Sequence, residues 1–109
     1  MSSNNNLPAQ FPFKRILHQG MKGREVEVLQ MWLDDLNEYY QFYKGKTLPI
    51  TAFYGDETRR FVTMFQLFVE LYPADGWYDY RTHDMIQARY SNYLQSISNT
   101  SKARGTWNK

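Results

Sequence analysis

The sequence contains no cysteine, which excludes disulfides and thiolate metal sites as sources of stability. Its two histidines, His18 and His83, lie far apart and offer no His-x-x-x-His spacing for zinc. No apolar run approaches membrane-spanning length. The N-terminus is polar and lacks the basic start and apolar stretch of a secretory leader. Paired carboxylates set up for glycoside cleavage are also missing, because Asp34 and Asp35 are neighbours that a helix would point to different faces. With no nucleophile, base or metal constellation in view, the chain is expected to be non-enzymatic, with no metal and no cofactor.

Acidic residues are absent from both ends. Lys14 and Arg15 at one end, and Lys102, Arg104 and Lys109 at the other, are unopposed, so the small formal net charge of +2 conceals a net acidic middle. Basic ends can meet anionic polymers or an acidic protein face. No groove-reading motif accompanies them, and no specific nucleic-acid partner is expected. The 109 residues divide into an N-terminal extended tail at 1–15, a helical domain at 16–97 and a C-terminal basic tail at 98–109. Within the first tail, Phe11-Pro12-Phe13 is an extended aromatic segment expected to clasp the domain.

What the middle does contain is helical periodicity. Val26, Leu29, Leu33 and Leu36 form one stripe, predicting a helix from about Gly23 or Arg24 to about Glu38, with Asn37 as its exit or a continuation into the tyrosines before Gly45 breaks it. A long aromatic connection follows, from Tyr39 to Ile50. Phe61, Val62, Phe65, Phe68, Val69 and Tyr72 predict a second helix from Asp56 to about Tyr72, stopped by Pro73. Thr82, Met85, Ile86, Tyr90, Tyr93, Leu94 and Ile97 predict a third, from about Tyr80 to Ser96. The fold class is therefore all-α, a three-helix bundle flanked by extended tails.

The bundle also carries an internal pseudo-repeat. Phe53-Tyr54-Gly55-Asp56-Glu57-Thr58 is echoed by Trp77-Tyr78-Asp79-Tyr80-Arg81-Thr82, and each copy leads from an aromatic-rich turn into an amphipathic helix. Gln30 and Gln66 sit beside the core stripes, where a buried amide must find partners, either by tying loop backbone to the helices or by lining a ligand groove.

These pieces, in order, resemble a known family. Leu17-x-x-Gly20-x-x-Gly23-x-x-Val26-x-x-Leu29-Gln30-x-x-Leu33 resembles the opening of the peptidoglycan-binding-domain-like module. Phe53-Tyr54-Gly55-x-x-Thr58-x-x-x-Val62-x-x-Phe65-Gln66 and Asp75-Gly76-Trp77-Tyr78-x-x-x-Thr82 resemble its middle and closing turns. The likeness covers about residues 16–87. It departs from the family at Ala52 and Asp79, where glycine is usual, and in its longer first connection and third helix. Asp79 is expected to keep a left-handed turn that glycine would otherwise supply.

The resemblance implies a non-catalytic unit that holds peptidoglycan in a shallow groove. Its candidate ligand residues are Gln30, Tyr54, Thr58, Gln66, Trp77, Tyr78 and Arg81. Arg59 and Arg60, with Arg81, suit a stem-peptide carboxylate, which a guanidinium binds in bidentate fashion. A wall-binding unit without a leader or a catalytic domain is expected to reach the wall on a carrier, and a phage particle meets that need. The expected place is the virion, with other virion or wall-associated proteins on the tails, or the extracellular cell wall if the chain is bacterial. The alternative is a structural adaptor that keeps the fold for protein docking and has lost wall binding.

Overall fold

A computed structural model of the chain describes residues 15–108, with side chains through Ser98. Its three helices are α1 (Arg24–Tyr40), α2 (Asp56–Phe68) and α3 (Tyr80–Asn108). Among the described residues there is no strand, only two isolated antiparallel bridges, Leu17 with Tyr78 and Lys22 with Phe53. The helices pack into one globule around a single apolar cluster. Among the described residues, no helix is long and apolar enough to cross a membrane.

The predicted α1 stripe forms the centre of that cluster. Val26, Leu29, Leu33 and Leu36 are completely buried, and Trp32 joins them. Burying each such side chain stabilises the fold by about 2 kcal/mol before entropy is counted. From α2 come Phe61, Val62 and Phe65, and from α3 Ile86 and Tyr90. The aromatic connection also supplies core: Phe42 is buried, edge-on to Phe65 at 5.5 Å.

Of the three helix ends, one follows the longer of two expected courses and two depart from expectation. α1 does not exit at Asn37 but continues into the tyrosines, to Tyr40. There Gln41 turns left-handed (φ 59°) and its N–H bonds the Asn37 carbonyl at 2.7 Å. α2 stops at Phe68, short of Tyr72, and Pro73 is not what stops it. Glu70 takes φ 59°, its N–H bonds the Leu67 carbonyl, and the Leu71 N–H reaches back to the Gln66 carbonyl. This is a Schellman ending with glutamate where glycine is usual. It leaves Tyr72 exposed, although its spacing from Phe68 suits the same helical stripe.

The second departure is the larger. α3 does not end near Ser96 but continues to Asn108, through the stretch read as an extended basic tail. That stretch is rich in Ser, Asn and Thr, which are weak helix formers, but contains no proline and a single glycine, so a helix already nucleated can extend through it without a break. The Phe11-Pro12-Phe13 clasp lies outside the described residues.

Residues 17–23 run between the two aromatic turns and bond to both. Leu17 and Tyr78 exchange backbone hydrogen bonds of 2.9 and 2.8 Å. Gly20 donates to Tyr54, Tyr54 donates to Met21, and Gly23 donates to Ala52. The positive φ values of Gly20 (102°) and Gly23 (132°) let this short segment bend twice within reach of both turns. The stretch before α1 thus fixes the two turns relative to each other.

Candidate functional site

The candidate site is the pair of aromatic turns, and each is held from beneath by one buried glutamine. Gln30, on α1, accepts from the Thr51 and Ala52 N–H groups through Oε1, at 2.9 and 2.8 Å. Its Nε2 donates to the Phe53 carbonyl and to the Thr58 hydroxyl, at 2.9 and 3.0 Å. Gln66, on α2, accepts from the Gly76 N–H through Oε1 at 2.9 Å. Its Nε2 donates to the Trp77 carbonyl and to the Thr82 hydroxyl, both at 2.9 Å. In both turns one amide reads the loop backbone and a threonine on the first turn of the next helix. Such groups must be bonded if buried, and here no buried side-chain nitrogen or oxygen among the described residues lacks a partner.

The two turns are also tied to each other. Tyr54 is fully buried and its hydroxyl donates to the Gly76 carbonyl at 2.6 Å. Burial pushes its phenol well above the ordinary range. Tyr78 is buried too, against His83, with its hydroxyl bonded to the His83 Nδ1. Burial raises the Tyr78 phenol and lowers the His83 imidazole, so a neutral pair is favoured in the fold.

Five of the seven candidate residues, Gln30, Tyr54, Thr58, Gln66 and Tyr78, therefore lie under the surface. The structure brings them together as the frame of the turns. Trp77 stands above that frame, 45% exposed, with its ring stacked on His18 at 4.6 Å. Phe53, its counterpart, is 49% exposed. Arg81 lies at the rim, donating to the Asp79 carboxylate at 3.0 Å and to the Tyr72 carbonyl at 3.0 Å.

Asp79 does not take the left-handed turn expected of it. The left-handed residues are Ala52 (φ 67°) in the first turn and Gly76 (φ 80°) in the second. Asp79 instead caps α3: its Oδ1 accepts from the Thr82 N–H and hydroxyl, at 3.0 and 2.9 Å. Partial burial would raise its carboxyl. The Thr82 backbone N–H, the Arg81 guanidinium and the Thr82 hydroxyl outweigh burial and hold it below the usual range. Gly55, the residue before α2, has no side chain with which to do the same.

A groove of about 260 Å³ opens beside the first turn, lined by Leu48, Pro49, Thr51, Phe53, Glu57 and Thr58. Among the described residues, no cluster of His, Asp or Glu is placed to hold a metal.

Sequence reasoning missed three contributors. Asp34 accepts from the Leu48 N–H at 3.0 Å. Asn37 is buried, accepts from the Tyr43 N–H at 2.7 Å and donates to the Tyr43 and Lys46 carbonyls. Gln30, Asp34 and Asn37 thus form a polar ladder at i, i+4 and i+7 on α1, flanking the apolar stripe, and this ladder straps down the long connection. Its spacing was visible in the sequence. The third, His18, had no such mark, because its stacking on Trp77 is a tertiary contact. No family model, no curated protein and no solved structure matches the chain.

Proposed function

We propose that this chain is a non-catalytic module that binds peptidoglycan, built as two copies of one turn-and-helix unit and carried to the host wall on a phage particle. The observation that carries the reading is the display of Phe53 and Trp77. Each is about half exposed, on a turn whose backbone is immobilised by a buried amide. A fixed, exposed aromatic face suits the apolar side of a sugar ring, and the preset backbone lowers the ordering cost of binding. In this reading Trp77 meets the glycan, Arg81 braces the rim of the second turn through Asp79, and Gln30, Tyr54, Thr58, Gln66 and Tyr78 position the turns. The motif order from Leu17 to Thr82 points to the same ligand class.

The test is retention of the full chain on purified sacculi from several bacterial types. Trp77→Ala should weaken retention roughly fivefold while leaving the helical circular-dichroism spectrum unchanged. No retention on any sacculus type would overturn the reading. An adaptor role in a virion is the second reading, favoured by the length of α3, which runs to Asn108 and carries Lys102 and Arg104. It requires that removing residues 98–109 abolish incorporation into particles without affecting sacculus retention.

A further inference from the structure

A second concavity lies on the outer face of α2, beside the second turn. It encloses about 250 Å³ and is lined by Tyr43, Arg59, Arg60, Thr63, Met64 and Ala74. Its floor is helix, and its two walls come from the connections on either side of α2. Both walls are preset. The Tyr43 backbone is bonded at its N–H and its carbonyl to Asn37, and its ring packs on Phe61 at 4.9 Å. Ala74 lies two residues before Gly76, whose N–H is fixed by Gln66.

The lining holds two guanidiniums and no carboxylate. Arg59 has no ion pair among the described residues, and its stem rests against the second turn: a Cβ on Gly76 would lie 2.7 Å from Arg59 Cγ. Arg60 pairs with Asp56 at 2.7 Å, but both side chains are more than half exposed, and such a pair is easily exchanged for another carboxylate. Of the other nearby acids, Asp75 accepts from the Trp77 N–H, and Glu57 lines an adjoining hollow with Arg60 but forms no ion pair with either arginine among the described residues. By contrast Arg81, the third arginine suited to a carboxylate, is held by Asp79 and by the Tyr72 carbonyl. Thr63 donates its hydroxyl proton to the Arg59 carbonyl at 2.9 Å, which leaves its oxygen free to accept. Met64 and Ala74 supply apolar surface at the same spot.

We propose that this groove binds a peptide C-terminal carboxylate next to a small apolar side chain. Arg59 and Arg60 take the carboxylate, Thr63 accepts from the last peptide N–H, and Met64 with Ala74 receives the methyl group. Resting on the wall-binding reading, the inference names the ligand as the D-alanyl end of an uncrosslinked stem peptide. Two charge-assisted contacts and one methyl-sized apolar contact predict weak binding that multivalent wall display would reinforce.

The experiment is a ¹H–¹⁵N titration of the full chain at low salt with acetyl-D-Ala-D-Ala, its C-terminal amide and acetyl-L-Ala-L-Ala. The expected result is shifts at Arg59, Arg60, Thr63 and Ala74 with the D-peptide, none with the amide, and binding about tenfold weaker in Arg59→Ala. Arg59 is exposed, so that variant should keep the wild-type spectrum away from the groove and from Gly76, against which the Arg59 stem rests. Equal shifts with the amide, shifts mapping away from the groove, or an unchanged affinity in Arg59→Ala would each overturn the proposal. Preference for the L-peptide would keep the carboxylate site and reassign its source to a protein C-terminus, overturning the stem-peptide assignment. Peptide binding without sacculus retention upholds the groove and sinks the wall reading. Sacculus retention that survives Arg59→Ala, with no peptide binding, does the reverse.

Discussion

The first turn, at Ala52–Thr58, and the second, at Gly76–Thr82, use the same frame with different residues at its two demanding positions. Where the backbone is left-handed, the first turn has Ala52 and the second Gly76. Where a helix begins, the first has Gly55 with no capping side chain, and the second has Asp79 with a full cap. In each respect the second turn has the better-suited residue. The first turn compensates by position: Gln30 makes more bonds to it than Gln66 makes to its partner, and the long connection is strapped to α1 by Asp34 and Asn37 as well. A similar hydrogen-bond plan thus tolerates local strain in the first turn because additional ties surround it.

The largest effect should come from cutting the glutamines. Gln66→Leu strands the buried Gly76 N–H and the Trp77 carbonyl, and should cost about 3 kcal/mol. Gln30→Leu strands the Thr51 and Ala52 N–H groups and the Phe53 carbonyl, which are only part-buried, and should cost about 2 kcal/mol despite the greater number of bonds. Urea unfolding of the two variants decides the order. A larger loss for Gln30→Leu would mean that bond count, rather than burial, sets the strength of each clamp.

Next in size is Gly76→Ala. A methyl group there would sit 2.7 Å from Arg59 Cγ and from Thr63 Oγ1, on a residue with φ 80°. Strain and overlap together should cost about 2 kcal/mol, read as a lowered urea midpoint with an unchanged slope.

Asp79→Ala should cost about 1 kcal/mol by removing the α3 cap, and this loss should depend on pH. The Asp79 carboxyl titrates lower in the fold than when unfolded. Its contribution is therefore fully present above the ordinary aspartate range near 4 and lost as pH falls through its lowered folded value. The gap between wild type and Asp79→Ala should narrow from pH 6 to pH 2. His83 acts in the same direction nearer neutrality: burial lowers its imidazole, so stability falls as pH drops from about 6.5 through the lower folded value. A His83→Gln variant that loses the near-neutral part of the pH dependence, and keeps the part below pH 4, would separate the two groups.

The helices were legible because apolar spacing is local: the α1 stripe and the start of α2 at Asp56 are where periodicity and acidic first turns put them. The ends of α2 and α3 were not. Glu70 in a left-handed ending has no sequence mark that separates it from an ordinary helical glutamate, so Pro73 was the visible stop. The α3 extension carries no apolar period to announce it, although nothing in it breaks a helix either. At the site, the glutamines stood out as polar residues beside core stripes, but which loop each would hold is a tertiary fact. Asp79 was misread as a backbone substitute for glycine, when its value lies in its carboxylate, one residue before α3.

The smallest effect is also the sharpest test of the comparison, since it asks whether the first turn can be improved toward the second. Ala52 at φ 67° sits in a region that costs an L-residue about 1–2 kcal/mol. Glycine removes that strain but gains conformational freedom in the unfolded chain, which returns about 0.4–1 kcal/mol. Ala52→Gly should therefore stabilise the protein by about 0.5 kcal/mol, as the difference of those two terms. Adding Gly55→Asp, which supplies the missing cap to α2, should contribute a few tenths more, with the Phe53 ring, about 3.1 Å from the new Cβ, moving slightly to admit it. If the double variant is no more stable than wild type, then the ties from Gln30 and the strapped connection set the backbone of the first turn, and its strain is already absorbed by them.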